Sequence, residues 1–254
     1  MRLMGKQELK LLMINSQEPT FNYEVLFIGN MIRLNPLIDI SGSVIASFNR
    51  TFYFKILDQI VCVTPESYER GPLAMNSKTP ETISWIASGI RVGDKINYRN
   101  DILYLNNFKF FISNACIWFP LTLKTRALPV ITKESLSYLR LARETSGFKS
   151  FVFDYAFDPI KKLRKWLKEA FLAPKDRIPE LPQEVNRLVG LGPGLTPSGD
   201  DLLGGVLIIL KFIGAPEIAF TLWTSILETV SISTNRISRA YLFAASQGYG
   251  AESV

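Results

Sequence analysis

The spacing of apolar residues changes part-way along this 254-residue chain, and that change constrains the fold more than any single residue does. Ser43–Phe54 alternates apolar and polar positions, and Ile56–Thr64 continues in the same manner after a break near Lys55. Period-two alternation in Val-, Ile-, Phe- and Tyr-rich runs places one face of a strand inward. A second pair, Asp94–Leu105 and Phe108–Ser113, flanks Asn106-Asn107, which predicts a two-residue hairpin turn because Asn tolerates positive φ. Between the pairs, Ile83, Ile86, Ala87 and Ile90 predict one short helix over Thr79–Ile90, with Gly71-Pro72 and Arg91-Val92-Gly93-Asp94 as turn-like borders.

Past Pro120 and Pro129, read as a linker, the apolar period lengthens to that of helices. Thr132 is a good N-cap for a helix over Lys133–Thr145, with Leu136, Leu139 and Ala142 inward and Gly147 as terminator. Ile160, Leu163, Trp166, Leu167, Ala170 and Phe171 share one side of a second helix. After a Pro-rich crossing (Pro174, Pro179, Pro182) come a short helix at Gln183–Val189 and three more at Leu202–Ile213, Pro216–Val230 and Thr234–Gln247. The chain therefore reads as α+β: a β-rich, barrel- or sandwich-like domain over residues 1–125, then a mainly α-helical domain over 126–254.

Composition narrows the chemistry. The chain has no histidine, which removes Ser-His-Asp and Cys-His sites, His-ligated zinc and a histidine base together. Cys62 and Cys116 lie in apolar, strand-like surroundings and read as buried free thiols rather than a disulfide or metal pair. The net charge of +6 is concentrated at Lys161–Arg177, where seven basic residues face two acidic ones. That is the solvated side of an amphipathic helix; nucleic-acid binding needs a wider basic stripe or interleaved stacking rings. The apolar run Leu11–Ile14 is too short for an export signal, and Leu202–Leu210, stopped by Lys211, is too short to span a bilayer. A cytoplasmic protein with no membrane and no nucleic-acid partner is expected.

One segment stands apart. Gly190–Asp201 (GLGPGLTPSGDD) packs four glycines, two prolines, two hydroxyls and two carboxylates into twelve positions directly before a helix. A stiff loop with few side chains feeding a helix N-terminus presents unpaired N–H groups and the positive end of the helix dipole, which suits phosphate or carboxylate. Walker A is not matched: Gly194 and Gly199 have its spacing, but Asp200 stands where that motif has lysine, and no strand precedes the loop as a dinucleotide fingerprint requires. Part of the composition has a plainer use, with Ser198 as N-cap, Asp201 completing a variant capping box and both aspartates favouring the first turn.

The same residues, with Leu203, Gly204 and Gly205, closely resemble the signature of the oxamate carbamoyltransferase AllH-subunit family. Thr234-Asn235-Arg236-Ile237-Ser238, followed by Leu242, Ala244, Ala245 and Gly248, is similar to a second family segment, and weaker agreement lies at Gly42–Phe48 and Gly71-Pro72. Family members continue into a further helical segment beyond the position of Val254. The resemblance implies carbamoyl transfer in purine (allantoin) breakdown, carbamoyl phosphate and oxamate interconverting with oxalurate and phosphate, in an assembly with other subunits.

Such a reaction needs a cup for the leaving phosphate, donors on the carbamoyl oxygen and a proton acceptor. The loop offers Gly192, Gly194 and Gly199 amides with the Thr196 and Ser198 hydroxyls as substrate-binding groups, and Arg236 as a bidentate clamp for a small anionic substrate. Asp200 or Asp201 is the expected base, or holds Mg2+ against a phosphate; no other cofactor is expected. The competing reading is a non-catalytic anion-binding or regulatory subunit, in which the loop holds an anion or docks a partner while the chemistry lies on another chain.

Overall fold

The period-two half of the sequence forms strands whose inward residues meet in a single closed ring. A computed structural model describes residues 20–120 and 151–252, and the chain divides into two units, Met1–Phe119 and Pro120–Val254. The described strands are β1 (Phe21–Gly29), β2 (Ile40–Ser47), β3 (Phe52–Ile56), β4 (Gln59–Pro65), β5 (Ala74–Ser77), β6 (Lys95–Arg99), β7 (Ile102–Leu105), β8 (Phe108–Phe111) and β9 (Cys116–Trp118). Their order is β5-β4-β3-β2-β6-β7-β8-β1-β9. Because β5 also pairs with β1, the first eight close into a barrel, which leaves no bare edge within the ring. β9 lies parallel to β1, on residues Phe27–Gly29, beyond the stretch that β8 covers.

The interior is filled by alternate residues: Phe52, Phe54 and Ile56 from β3, Leu103 and Leu105 from β7, and Phe108 and Phe110 from β8 are all buried. Two glycines permit close backbone passage. A Cβ on Gly29 would lie 2.3 Å from the carbonyl oxygens of Gly71 and Pro72, and one on Gly42 would lie 2.2 Å from Lys55 O.

The alternating runs are broken more often than their composition suggests. Ser43–Phe54 is two strands, turning at residues 48–51, where Phe48 N–H donates to Thr51 O at 2.8 Å. The break expected near Lys55 lies at Leu57-Asp58; Lys55 itself pairs with Ile60, and Leu57 takes φ 53°. Asp94–Leu105 is likewise divided at Asn100-Asp101, with φ 49° and 59°, the double positive φ of a tight hairpin turn. The Asn106-Asn107 turn is present, joining Leu105 to its partner Phe108 with Asn106 at φ 51°.

Thr79–Ile90 is a run of turns and not a helix. Trp85 is the reason. Its ring is fully buried among Tyr23, Phe52, Phe108 and Phe110, plugging the end of the barrel where β1, β3 and β8 begin. Its amide donates to Asn49 O at 2.9 Å and its indole N–H to Arg50 O at 3.1 Å. Tertiary acceptors thus replace the i−4 carbonyl that a helix would supply, and Ile86 is left exposed. Cys62 is buried and its thiol is pushed up to about 12, mainly by desolvation, whereas Cys116 is exposed and departs from the buried pair expected.

The second unit contains α1 (Phe151–Leu172), α2 (Ser198–Phe212), α3 (Pro216–Ser233) and α4 (Arg236–Ser246), with a 3-10 turn at Gln183–Leu188 between α1 and α2. The molecule is therefore an α+β protein. The helix expected at Lys133–Thr145, with its cap and terminator, and the segment Met1–Ser16 lie outside the described residues.

On α1, Leu163, Trp166 and Ala170 are buried while Lys161, Arg164, Lys165 and Lys168 are exposed, as the periodicity requires. Phe171 departs from it and is exposed. Trp166 donates its indole N–H to Pro179 O at 2.8 Å, fixing the Pro-rich crossing to the helix. Leu203, Leu207 and Leu210 of α2 meet Leu222, Ile226 and Val230 of α3 and Leu242 and Ala245 of α4 in one core. Each such leucine or isoleucine contributes about 1.5–3 kcal/mol on burial. Among the described residues no helix is long and apolar enough to cross a membrane.

Candidate functional site

The Gly-rich segment is pinned at both ends and open in its middle. The 3-10 turn buries Val185 and Leu188, and the chain then turns at Gly190 with φ 73°. A Cβ there would stand 2.2 Å from Ser233 O, so the loop passes directly against the end of α3. Leu191 N–H returns to Leu188 O at 3.1 Å, and Gly199 N–H donates to Leu191 O at 2.9 Å. Gly199 is buried, and a Cβ on it would lie 1.9 Å from Leu188 O; only glycine fits this crossing. Between these anchors Gly192 and Gly194 adopt φ 120° and 96°. Pro193, Gly194, Thr196 and Ser198 are exposed. The amides of Gly192, Gly194, Thr196 and Ser198 meet no acceptor among the described residues.

The loop is held to α4 by two polar side chains. Asp200, in the first turn of α2, is 2% exposed. Its Oδ1 accepts from Gly190 N–H at 2.7 Å; its Oδ2 accepts the Ser238 hydroxyl at 2.6 Å and, over a very short contact, that of Thr234. Asn235 is the N-cap of α4: its Oδ1 accepts from the Ile237 and Ser238 amides, both at 3.0 Å, while its Nδ2 donates to Leu195 O at 2.8 Å. The N-termini of α2 and α4 are thus brought together on one loop, with the Asp200 carboxylate placed between them. There the carboxyl group meets three hydrogen-bond donors at the start of two helices, which satisfies its oxygens in a buried position.

This arrangement sorts the residues that the sequence singles out. Asp200 is turned inward as a structural hub, so the base and metal-holding roles expected of it have no access to solvent. Asp201 is exposed, and its carboxyl is raised above the ordinary aspartate range, first by desolvation and then by the neighbouring Asp200 charge. The two carboxylates therefore face different surroundings rather than one point. Among the described residues no group of three or more His, Cys, Asp or Glu comes together to hold a metal.

Gly199 is a crossing point, its amide spent on Leu191 O, and leaves the group of free donors expected to include it. Ser198 does not cap α2: Pro197 occupies the N-cap position and no side-chain cap bond forms, so the Ser198 hydroxyl remains outward. Arg236 is exposed at the start of α4 and pairs with no described residue.

Four residues beside the loop are not among those expected to form the site: Thr234, Asn235, Ser238 and Arg239. The first three hold it through Asp200 and Leu195. Arg239 is half-buried; its Nη2 donates to Thr234 O at 3.4 Å, and its buried Nε meets no acceptor among the described residues. The sequence marks where the first three lie, at a helix start, but not that they meet the loop. Asn235 directly before an apolar-periodic run is an N-cap signal, and Thr234 and Ser238 flank it as short hydroxyl residues at the same helix start.

Residues 188–254 match the family model described as oxamate carbamoyltransferase subunit AllH. The AllH match takes in the whole pinned loop, the Asp200 hub and helices α2 to α4. The weaker agreement at Gly42–Phe48 and Gly71-Pro72 lies outside the matched residues. No curated protein and no solved structure matches the chain.

Proposed function

We propose that this chain is a subunit of a carbamoyltransferase acting between carbamoyl phosphate and oxamate, and that Gly190–Asp201 holds the anionic group of the substrate. The observation that carries this reading is the set of amides at Gly192, Gly194, Thr196 and Ser198 without acceptors among the described residues, on a loop fixed at both ends within the AllH-matching segment. Four N–H groups and two hydroxyls beside a helix N-terminus suit a phosphate or carboxylate, and the anchoring means that little ordering entropy is lost on binding.

In the transfer, the oxamate nitrogen bonds to the carbamoyl carbon, the carbon–oxygen bond to phosphate breaks, and the nitrogen loses a proton. The loop amides hold the departing phosphate, Arg236 clamps a carboxylate, and Asp201 takes the proton. A raised carboxyl supports that last role, since a base works best with its pKa closer to the working pH.

One observation favours the second reading, a binding subunit whose chemistry lies on another chain. Asp200 is buried and bonded, which leaves Asp201 as the only loop carboxylate facing solvent. Carbamoyl phosphate turnover by the purified chain, measured alone and then with the other subunits, separates the two. Turnover by the chain alone that is abolished in Asp201→Asn supports catalysis here. Phosphate binding without turnover supports the binding subunit. A chain that neither binds phosphate nor alters turnover by the other subunits contradicts both.

A further inference from the structure

Asn235 uses both ends of its side-chain amide, and only one end serves helix α4. Its Oδ1 accepts from the Ile237 and Ser238 amides, both at 3.0 Å, and its Nδ2 donates to Leu195 O at 2.8 Å. Chemistry fixes which end is which, since two N–H groups need an oxygen and a carbonyl needs a donor. We infer that Asn235 is a positioning residue for the Gly-rich loop: through Leu195 O it sets the direction of the Thr196 N–H. The inference rests on the proposal that Gly190–Asp201 holds the substrate's anionic group.

The physical link is the peptide plane. Leu195 C=O and Thr196 N–H belong to one peptide unit, whose trans geometry turns the N–H to the side opposite the C=O. A carbonyl held toward Asn235 therefore directs the Thr196 N–H away from it, and that N–H meets no acceptor among the described residues. The peptide unit shared by Leu191 and Gly192 is held in the same manner. Leu191 O accepts from Gly199 N–H at 2.9 Å, and the Gly192 N–H on the other side of that plane is likewise without an acceptor among the described residues. Two of the four unpaired amides are thus set in direction before any ligand arrives, one by the loop's own backbone and one by a side chain from the start of α4. Fixing a donor in advance lowers the ordering cost of binding.

Capping alone does not call for an amide. Serine and aspartate cap helices about as well as asparagine, through an oxygen only. The Nδ2 arm is what asparagine adds, and here it is spent on the loop. The two roles are therefore separable by substitution.

The test is an amide NMR titration of the full chain with inorganic phosphate in wild type, Asn235→Ser and Asn235→Ala, with a melting curve for each. Serine keeps an oxygen for the cap, adds no charge and has no arm for Leu195 O; alanine loses both cap and tie. Wild type is expected to saturate, and both variants to bind phosphate about tenfold more weakly, as for loss of one hydrogen bond to a charged group. Alanine is expected to melt clearly below serine, because it alone lacks a cap. Within the loop the phosphate-induced shift at Thr196 falls most and that at Gly192 least. The serine variant decides the matter by itself if alanine fails to fold. Wild-type phosphate affinity in Asn235→Ser makes Asn235 a cap alone and overturns this inference, leaving the anion-holding loop intact. No saturation at the loop in wild type overturns both.

Discussion

The carboxylate of Asp200, in the first turn of α2, accepts the hydroxyl hydrogen of Ser238, in the first turn of α4, at 2.6 Å, with both side chains buried. Through this contact, and the companion bonds from Gly190 and Thr234, the start of one helix fixes the start of another and the loop between them keeps its shape. An acidic residue in a loop of this kind suggests catalysis. Here its burial and its three donors make it the support on which the exposed part of the loop rests.

Removing that support is costly. Asp200→Ala leaves three donors without their acceptor, two of them on α4 or its approach, and is expected to destabilise the helical unit by roughly 2–4 kcal/mol. Asp200→Asn keeps the volume and one acceptor oxygen, so about half that loss is expected. Urea denaturation followed by circular dichroism reads both, and a change under 0.5 kcal/mol in the alanine variant, smaller than about one buried hydrogen bond, contradicts the hub.

The glycines of this region divide by what surrounds them. Gly199→Ala drives a Cβ to 1.9 Å from Leu188 O and is expected to cost about 3 kcal/mol through displaced backbone. Gly205, within α2, has open space around its Cβ position, so Gly205→Ala is expected to stabilise by about 0.5–1 kcal/mol through the unfolded chain. Paired melting curves test the contrast; equal effects would contradict the packing described at Leu188.

The cysteines give a pH-dependent prediction. The Cys62 thiol is raised from 9.0 to about 12 by burial, so the folded state disfavours its thiolate more than the unfolded state does. The stability linked to this group is therefore intact below pH 9 and is lost progressively as pH rises from 9 toward 12. Iodoacetamide at pH 8 is expected to add one label, at the exposed Cys116, and a second only in denaturant. Two rapid additions to the folded chain would contradict the buried position of Cys62.

Trp85 holds the barrel end shut. Trp85→Ala removes a fully buried ring and the indole bond to Arg50 O, and is expected to cost about 3–5 kcal/mol. Loss of near-ultraviolet circular dichroism with a lowered melting temperature checks it; an unchanged melting curve would show that the ring is not a plug.

Much of this architecture is legible in the residues. Alternation gave the strand-forming half, Asn106-Asn107 its hairpin, and helical spacing the buried face of α1 and the core of α2 to α4. What escaped was decided by partners distant in sequence. Trp85 leaves the helical pattern of its neighbours because Asn49 and Arg50 supply its acceptors. Asn100-Asp101 interrupts an alternating run because two short polar residues tolerate positive φ where most side chains do not. At the loop, composition marked the segment as special but did not separate the buried carboxylate from the exposed one. That separation depends on Thr234 and Ser238, more than thirty positions away, and no local pattern around Asp200 encodes it.

Whether the unpaired amides of the loop hold an anion is decided by an amide NMR titration of the full chain with inorganic phosphate. Saturable shifts are expected at Gly192, Gly194, Thr196 and Ser198, with Gly199 least affected because its N–H is already bonded to Leu191 O. Shifts confined to the basic face of α1, or none that saturate at the loop, would contradict the account.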